Sequence, residues 1–134
     1  MTPRISLLFA SLHALMFLVL TMRVVMQRKS NRIGIGDGGH SALARSVRVH
    51  GNFSEYVPLA LILMALLELS GLPAAWLWVL GAMLLLGRVL HAVGLGGSIG
   101  VSPGRLVGML LTLISLLLMA ALGIYRVVLP MLLA

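Results

Sequence analysis

The stretch ARSVRVHGNFSEYVPL, residues 44–59, places six polar or charged side chains, besides two serines, directly before an apolar run that continues to residue 67. These side chains are Arg45, Arg48, His50, Asn52, Glu55 and Tyr56. A charged side chain at the bilayer centre costs roughly 2.5 to 3.5 kcal/mol on insertion scales, so an ordinary membrane helix excludes such groups. The first half of this segment therefore needs partners that compensate its charges.

The composition shows why a membrane has to be considered. Of the 134 residues, 60% are hydrophobic and only 10% are charged, and the mean hydropathy is +1.12. A chain of this kind has too little polar surface for a water-soluble globule, so we predict an integral membrane protein. The net charge of +7 is then explained by the way membrane proteins distribute Lys and Arg, and no nucleic-acid partner is expected. The chain has no cysteine, so any thiol chemistry must arrive with a substrate.

Four apolar segments are long enough to cross a bilayer, at about residues 5–26, 43–69, 74–93 and 105–129. Each is close to or above the roughly 20 residues that the hydrocarbon layer requires. The first follows Arg4 as in a signal peptide, but no small-residue cleavage site precedes the basic cluster, so it is predicted to be retained. The sequence therefore predicts an all-α, four-helix membrane bundle that forms one domain over residues 1–134.

The basic residues predict the orientation of the bundle. Eight of the ten border the connections between the first and second segments and between the third and fourth. These eight are Arg23, Arg28, Lys29, Arg32, Arg45, Arg48, Arg88 and Arg105. By the positive-inside rule, the loops at residues 27–43 and 94–104 are cytoplasmic and both termini lie outside.

The polar half of the second segment forms a stripe. At about 100° per residue, Arg48, Asn52 and Glu55 fall within roughly 60° of one another, with Arg45 and Tyr56 on the flanks and His50 pointing nearly the opposite way. Arg48 and Glu55 could each bridge to Asn52. The stripe is either a structural cluster that fixes helix register or one wall of a polar ligand pocket, since intramembrane ionisable groups usually mark sites.

A second polar set occurs at the same depth in GRVLHAVGL, residues 87–95. Arg88 and His91 are three residues apart and share a helix face. Alone, Arg88 would be read as an interface anchor whose side chain extends to the headgroups. Beside the stripe on the second segment, it favours the pocket interpretation.

The chain resembles the membrane-associated proteins in eicosanoid and glutathione metabolism, the MAPEG family. The resemblance rests on GDGG at residues 36–39, RVHGNFSEYVPL at 48–59 and GRVLHAVGL at 87–95, and covers nearly the whole chain. It implies a bacterial inner-membrane member that forms a homotrimer, with glutathione bound between neighbouring subunits near the cytoplasmic leaflet. The positions that match the family's glutathione contacts are Arg48, Asn52, Glu55, Tyr56, Arg88 and His91.

Residue chemistry agrees with such a ligand. Glutathione carries two carboxylates, an amine and a thiol; arginines bind carboxylates bidentately and Glu55 can accept the amine. The family resemblance also implies an arginine at the start of the fourth helix that activates the thiol, and Arg105 occupies that place. A cation there stabilises the thiolate. The alternative is that Arg105 is only a positive-inside residue.

Two positions depart from the family pattern. Leu95 stands where the eukaryotic enzymes carry a tyrosine, so one ligand contact is expected to be lost. Met26 stands where relatives often carry an arginine, and Arg23 or Arg28 could substitute as a glutathione contact.

The sequence therefore predicts a membrane protein that binds glutathione or a similar thiol, with transferase or peroxidase-like activity on a lipophilic electrophile. Alternatives are a non-catalytic protein that uses the polar cluster for trimer assembly, and a small-molecule transporter, which is disfavoured because the first segment holds no carboxylate. The histidines at 13, 40, 50 and 91 show no metal-ligand spacing. Glu68 is interpreted as an interface residue near the outer end of the second segment.

Overall fold

A computed structural model describes residues 2–97 and 102–133, and within these ranges the chain is entirely helical apart from its connections. The helices are α1 (Arg4–Asn31), α2 (Ser41–Leu69), α3 (Ala74–Gly97) and α4 (Pro103–Leu133). All four are long and apolar enough to cross a membrane. The prediction of an all-α, four-helix membrane bundle is confirmed.

All four helices run further than the sequence suggested, and the extensions of α1, α3 and α4 at their C-terminal ends are the longest. α1 continues past Met26 to Asn31, and it ends where Arg32 takes up the left-handed conformation, at φ 55°. Arg28 and Lys29 lie in its last turn, where cations interact favourably with the helix dipole. α4 continues through Pro130 to Leu133, because a proline this close to the helix end removes only one helical hydrogen bond.

The helices pack as a rhombus. α2 and α3 each contact all three other helices, whereas α1 and α4 do not meet within the described ranges. Large apolar side chains on α1 and α4 remain exposed, Leu15 and Leu117 among them, which is the pattern expected of lipid-facing surface. We call the end with the α1–α2 and α3–α4 connections the loop end, and the opposite end the terminal end.

Glycines allow α3 and α4 to approach closely. A Cβ on Gly87 would lie 2.9 Å from the carbonyl oxygen of Gly108, and one on Gly94 would collide with the backbone of Arg105. Small residues at such contacts are how membrane helices bring their backbones together. The contact places the polar residues of α3 directly beside the first turns of α4.

At the terminal end, Glu68 binds the first turn of α1. Its carboxylate accepts the backbone N–H groups of Ile5 at 2.9 Å and Ser6 at 2.7 Å, and the residue is buried. The first N–H groups of a helix lack helical partners and favour an anion. Glu68 therefore joins α2 to α1 near the outer end of α2, and we call this contact the Glu68 clasp.

Candidate functional site

Arg88 is the centre of a polar cluster that joins three helices. It is 1% exposed and donates to Oδ1 of Asn52 on α2 at 2.7 Å and to Oγ1 of Thr112 on α4 at 3.4 Å. Its Nη2 also lies 3.2 Å from Nδ1 of His91, and its guanidinium lies 5.9 Å from the ring centroid of Phe53. The cation is compensated by neutral acceptors and by an aromatic face, not by a carboxylate.

These contacts fix the direction of each hydrogen bond. Arginine can only donate, so Nδ1 of His91 accepts and the imidazole proton lies on Nε2. The Thr112 hydroxyl donates to the Gly108 carbonyl at 2.8 Å, so its oxygen is free to accept from Arg88. His91 therefore has an N–H group available to a ligand.

A pocket of about 380 Å³ opens beside this cluster, between α2, α3 and α4. It is lined by Arg48, Asn52, Tyr56, His91, Arg105, Leu106 and Met109. Arg88 lies behind Asn52 and His91 and holds both of them by hydrogen bonds. The structure thus brings together seven of the nine predicted site residues, counting Glu55 through its contact with Arg48.

The pocket carries an excess of positive charge. The chain has three acidic residues: Glu68 lies at the other end of the bundle, Asp37 accepts the Gly39 N–H in the α1–α2 connection, and Glu55 pairs with Arg48 at 3.2 Å. Among the described residues, Arg88 and Arg105 make no ion pair. The expectation that Arg48 and Glu55 bridge through Asn52 is wrong, because they bond each other directly and Asn52 bonds Arg88.

Arg105 is positioned by the start of α4. The Ser102 hydroxyl accepts the Arg105 backbone N–H at 3.3 Å and donates to the Gly94 carbonyl at 2.9 Å. Serine before a helix that begins with proline is a favoured start. The cap ties α4 to α3 and sets Arg105 at the pocket wall.

Two predicted site residues lie elsewhere in this single chain. Arg28 donates to the carbonyls of Gly34 and Gly36 and lines a separate depression that it shares with Arg48. Arg23 lies on α1 next to Ser46. Neither lines the pocket, so neither takes the place of the arginine missing at Met26 within this chain.

The loop that joins α3 and α4 is described only in part. Residues 98–101 lie outside the described residues, so the predicted loop at 94–104 is seen only at its two ends. Leu95, at the position of the family tyrosine, is 5% exposed and packs in the apolar core. It presents no polar group to a ligand. Within the described ranges, no three His, Asp or Glu side chains are grouped as a metal site.

Sequence reasoning missed Thr112, Phe53 and Ser102. The signal for Thr112 was present, because Gly104, Gly108 and Thr112 are four residues apart, and small residues at that spacing predict a close helix contact. Phe53 carries no such signal, since a phenylalanine on a membrane helix is ordinary.

The helices and their apolar surfaces define the class: a multi-pass, all-α membrane protein. Comparison with known proteins then identifies the family. The profile of the MAPEG family matches residues 6–125, and the chain belongs to this family. It is also similar to the inner membrane protein YecN from two strains of Escherichia coli, at 39% identity over 90 residues, which covers 67% of this chain and 69% of the relative.

Proposed function

We propose that the pocket binds glutathione or a similar anionic thiol and presents it to a lipophilic electrophile that enters from the bilayer. The observation that carries the proposal is the charge of the pocket. Arg48 and Arg105 line it, Arg88 lies behind it, and Glu55 is the one carboxylate beside them. A cationic pocket with exposed arginine donors is suited to a ligand with more than one carboxylate.

In this proposal, each pocket residue contacts a different chemical group of the ligand. Arg48 accounts for one carboxylate, and Glu55 for the amine. His91 offers its Nε2–H, and Tyr56 its hydroxyl. Arg88 acts through Asn52 and His91, whose side chains it orients. Orientation by a buried neighbour keeps the pocket preorganised, which reduces the entropy lost on binding.

Arg105 has the chemical role in this proposal. Its guanidinium and the N-terminus of α4 stabilise the thiolate that forms when the bound thiol loses its proton. The sulfur then attacks an electrophilic carbon, a carbon–sulfur bond forms, and the leaving group departs with its electron pair. With a hydroperoxide, the thiolate attacks the terminal oxygen instead, the oxygen–oxygen bond breaks, and the alkoxide is protonated to the alcohol. The sulfenic acid that forms then reacts with a second thiol to give the disulfide and water.

Calorimetric titration of the detergent-solubilised protein tests the binding step. Glutathione is expected to bind, and its diethyl ester, which has the same backbone but neither carboxylate charge, is expected to bind at least tenfold more weakly, in proportion to one lost charged hydrogen bond of about 1.5 kcal/mol or more. Equal affinity for the two, or no binding of either, would overturn the proposal.

We further propose a homotrimer. The pocket is bounded by helices α2, α3 and α4 of one chain, and a single four-helix subunit is too thin to shield a polar stripe and a peptide-sized ligand from lipid on all sides. A neighbour would close the pocket and could supply Arg23 or Arg28. Native mass spectrometry in mild detergent should give a trimer, and monomers alone would contradict it.

The inner membrane is the proposed location, since the relatives are named inner membrane proteins. The loop end is proposed to face the cytoplasm, because it holds eight of the ten basic residues. The chain has no native cysteine, so single cysteines report the topology directly. Ser30→Cys should be shielded from an impermeant reagent on intact cells and Thr2→Cys should react, while the reverse pattern would invert the topology.

A second candidate function is an assembly role without catalysis. The observation in its favour is that the buried Arg88 joins α2, α3 and α4 through Asn52 and Thr112, which is a packing role whatever the pocket binds. In that case Arg48→Ala and Arg105→Ala would bind glutathione as the wild type does, while the oligomer would dissociate. The enzyme proposal would then be abandoned.

A further inference from the structure

A second depression lies at the loop end, between the last turn of α1, the α1–α2 connection and the first half of α2, and it encloses about 490 Å³. Its charged wall residues are Arg28, Asp37 and Arg48, and Ala44, Val47 and Gly51 form its α2 side. We call it the α1–α2 depression. It shares Arg48 with the cationic pocket, but its other wall residues do not line that pocket. The inference drawn from it does not rest on the proposed thiol binding.

The wall contains two cations and one anion, and only one of the cations has an ionic partner. Arg48 pairs with Glu55 at 3.2 Å. Among the described residues, neither Arg28 nor Asp37 makes an ion pair, with each other or with another side chain. The α1–α2 depression therefore presents one unpaired positive charge and one unpaired negative charge.

Backbone contacts hold these two charges in place. Nη1 of Arg28 donates to the carbonyls of Gly34 and Gly36 at 3.0 and 3.1 Å, and its other two nitrogens have no partner among the described residues. Oδ1 of Asp37 accepts the Gly39 N–H at 3.0 Å. Since a guanidinium has five N–H donors and a carboxylate has two acceptor oxygens, both groups can bind a ligand while the connection keeps its shape.

The α1–α2 depression begins at the depth of the lipid headgroups. α1 has 28 residues, which makes it about 42 Å long, whereas the hydrocarbon layer is only about 30 Å thick. The ends of α1 therefore extend beyond the hydrocarbon, and Arg28 lies in the last turn. On α2 the wall continues from Ala44 to Gly51, about 10 Å further along the helix. The depression thus runs from the headgroups toward the acyl chains.

Gly51 leaves the α2 side of the depression open. A Cβ on this residue would meet no atom within 4 Å, so no contact among the described residues requires a glycine there. Glycine in a helix interior is less favourable than alanine by about 1 kcal/mol, and it is used where a ligand or another backbone approaches closely. The open side of α2 is therefore suited to a ligand that lies against the helix backbone.

We propose that the α1–α2 depression binds the phosphoethanolamine headgroup of a membrane phospholipid. The phosphate accepts from the free nitrogens of Arg28, the primary ammonium donates to the Asp37 carboxylate, and the acyl chains pass along Val47 and Gly51 toward the hydrocarbon. One phosphate and one ammonium match one unpaired cation and one unpaired anion. Basic pockets between membrane helices are a recognised kind of headgroup site, and the volume is within the roughly 300 to 1,000 Å³ of small-ligand sites.

Other headgroups match the wall less well. Phosphatidylglycerol has the phosphate but no cation for the carboxylate of Asp37. Phosphatidylcholine has both charges, but its quaternary ammonium has no N–H group to donate. The charge pattern of the wall therefore predicts a selectivity that general attraction of anionic lipid to basic residues would not produce.

Native mass spectrometry of the full-length, delipidated protein in mild detergent tests the proposal. Dioleoyl phosphatidylethanolamine and dioleoyl phosphatidylcholine, which share the phosphate and both chains, are added together at equal concentration. The ethanolamine lipid should be retained about tenfold more than the choline lipid, the value of one charged hydrogen bond. An equal amount of dioleoyl phosphatidylglycerol should not displace it. Equal retention of the first two lipids, or displacement by the third, would overturn the proposal.

Variants assign the selectivity to the two unpaired charges. Asp37→Asn keeps an oxygen that can accept the Gly39 N–H but removes the charge, so it should abolish the preference for the ethanolamine lipid. Arg28→Gln should weaken retention of both lipids about tenfold. Lys29→Gln is the matched control, since Lys29 is the next residue of α1, is exposed and does not line the depression. It should keep both retention and preference, and a preference that survives in Asp37→Asn would contradict the assignment.

Gly51→Leu tests the depression itself, because leucine fills the open side of α2 and changes no charge. It should reduce retention of both lipids at least tenfold without loss of stability, since leucine is a better helix former than glycine. Unchanged retention would show that the lipids bind elsewhere and would overturn the proposal. Should Gly51→Leu not fold, the lipid preference of the wild type and of Asp37→Asn still decides.

A neighbouring subunit is the competing occupant. If Gly51→Leu dissociates the oligomer while both lipids are retained as before, a second copy covers the depression and the proposal fails. If Arg28→Gln weakens glutathione binding and leaves lipid retention unchanged, Arg28 serves the thiol pocket of a neighbour, and the proposal also fails.

Discussion

The loop end and the terminal end of the bundle each bury one charged side chain, and they compensate it in different ways. At the terminal end, the Glu68 carboxylate accepts two backbone N–H groups from the first turn of α1. At the loop end, Arg88 is held by the side chains of Asn52, Thr112 and His91. One charge is matched by a helix terminus, the other by neutral side chains.

The two ends differ in how far the local charge is compensated. Glu68 meets groups that favour an anion, and it does not line the cationic pocket. Arg88 stands behind a pocket with Arg48 and Arg105 in its wall, so the local charge is positive and open to a ligand. The Glu68 contact joins two helices, and the cationic pocket at the loop end is where binding should be sought.

The largest effect is expected from Arg88→Met. The change leaves three polar side chains without their common donor inside the bundle, and each buried polar group left without a partner costs about 1 to 3 kcal/mol of unfolding free energy. Unfolding measured in mild detergent should show this loss, with Arg4→Met at the exposed start of α1 as the matched control. If Arg88→Met were as stable as the control, the cluster would not hold the three helices together.

Glu68→Ala should have the next largest effect. It removes a charged acceptor from two N–H groups, and the loss is about 2 to 4 kcal/mol. Glu68→Gln keeps the shape and one acceptor oxygen, so it should lose clearly less. Neither change should alter glutathione affinity, because the site is at the other end. Loss of binding in a folded Glu68→Gln variant would break the proposed separation of the two ends.

At the loop end, Arg48→Ala and Glu55→Ala should weaken glutathione binding roughly 10- to 150-fold, which is the value of one charged hydrogen bond. Arg105→Ala should mainly lower turnover and raise the pH at which the bound thiol ionises, with a smaller change in affinity. Thiolate absorbance against pH, measured beside calorimetric affinity, distinguishes these roles. A variant that changed both quantities equally would remove the division between binding and chemistry.

The smallest effect is expected from Arg126→Ala. Arg126 donates to the Ser70 carbonyl at the terminal end, and a single hydrogen bond at a half-exposed site contributes about 1 kcal/mol or less. The same unfolding assay should place this variant between the wild type and Glu68→Gln. A loss larger than that of Glu68→Ala would show that the arginine, and not the carboxylate, holds the terminal end.

The helices and one face of the site could be predicted from the sequence, because both depend on local spacing. The angle between successive residues brings Arg48, Asn52 and Tyr56 to one face, and it sends His50 the other way, where its Nε2 contacts Thr21 on α1. These relations hold within a single helix, so a helical wheel is enough to derive them.

Contacts between helices could not be predicted in the same way. Glu68 and Ser6 are 62 positions apart, and no local sequence pattern near either residue predicts their contact. The direct bond of Arg48 to Glu55 was missed for another reason: the spacing allowed Asn52 to accept from Arg48, but in the structure Asn52 accepts from Arg88 on α3 and Arg48 donates to Glu55. A partner on another helix decided the arrangement.

The Glu68 clasp also constrains how the protein is made. α1 is synthesised before α2. The first N–H groups of its backbone can bind the Glu68 carboxylate only after residue 68 has been synthesised and α2 has entered the membrane across its full length. Until then, those groups must remain among headgroups and water at the surface. The final depth of α1 in the membrane is thus set only when α2 is complete.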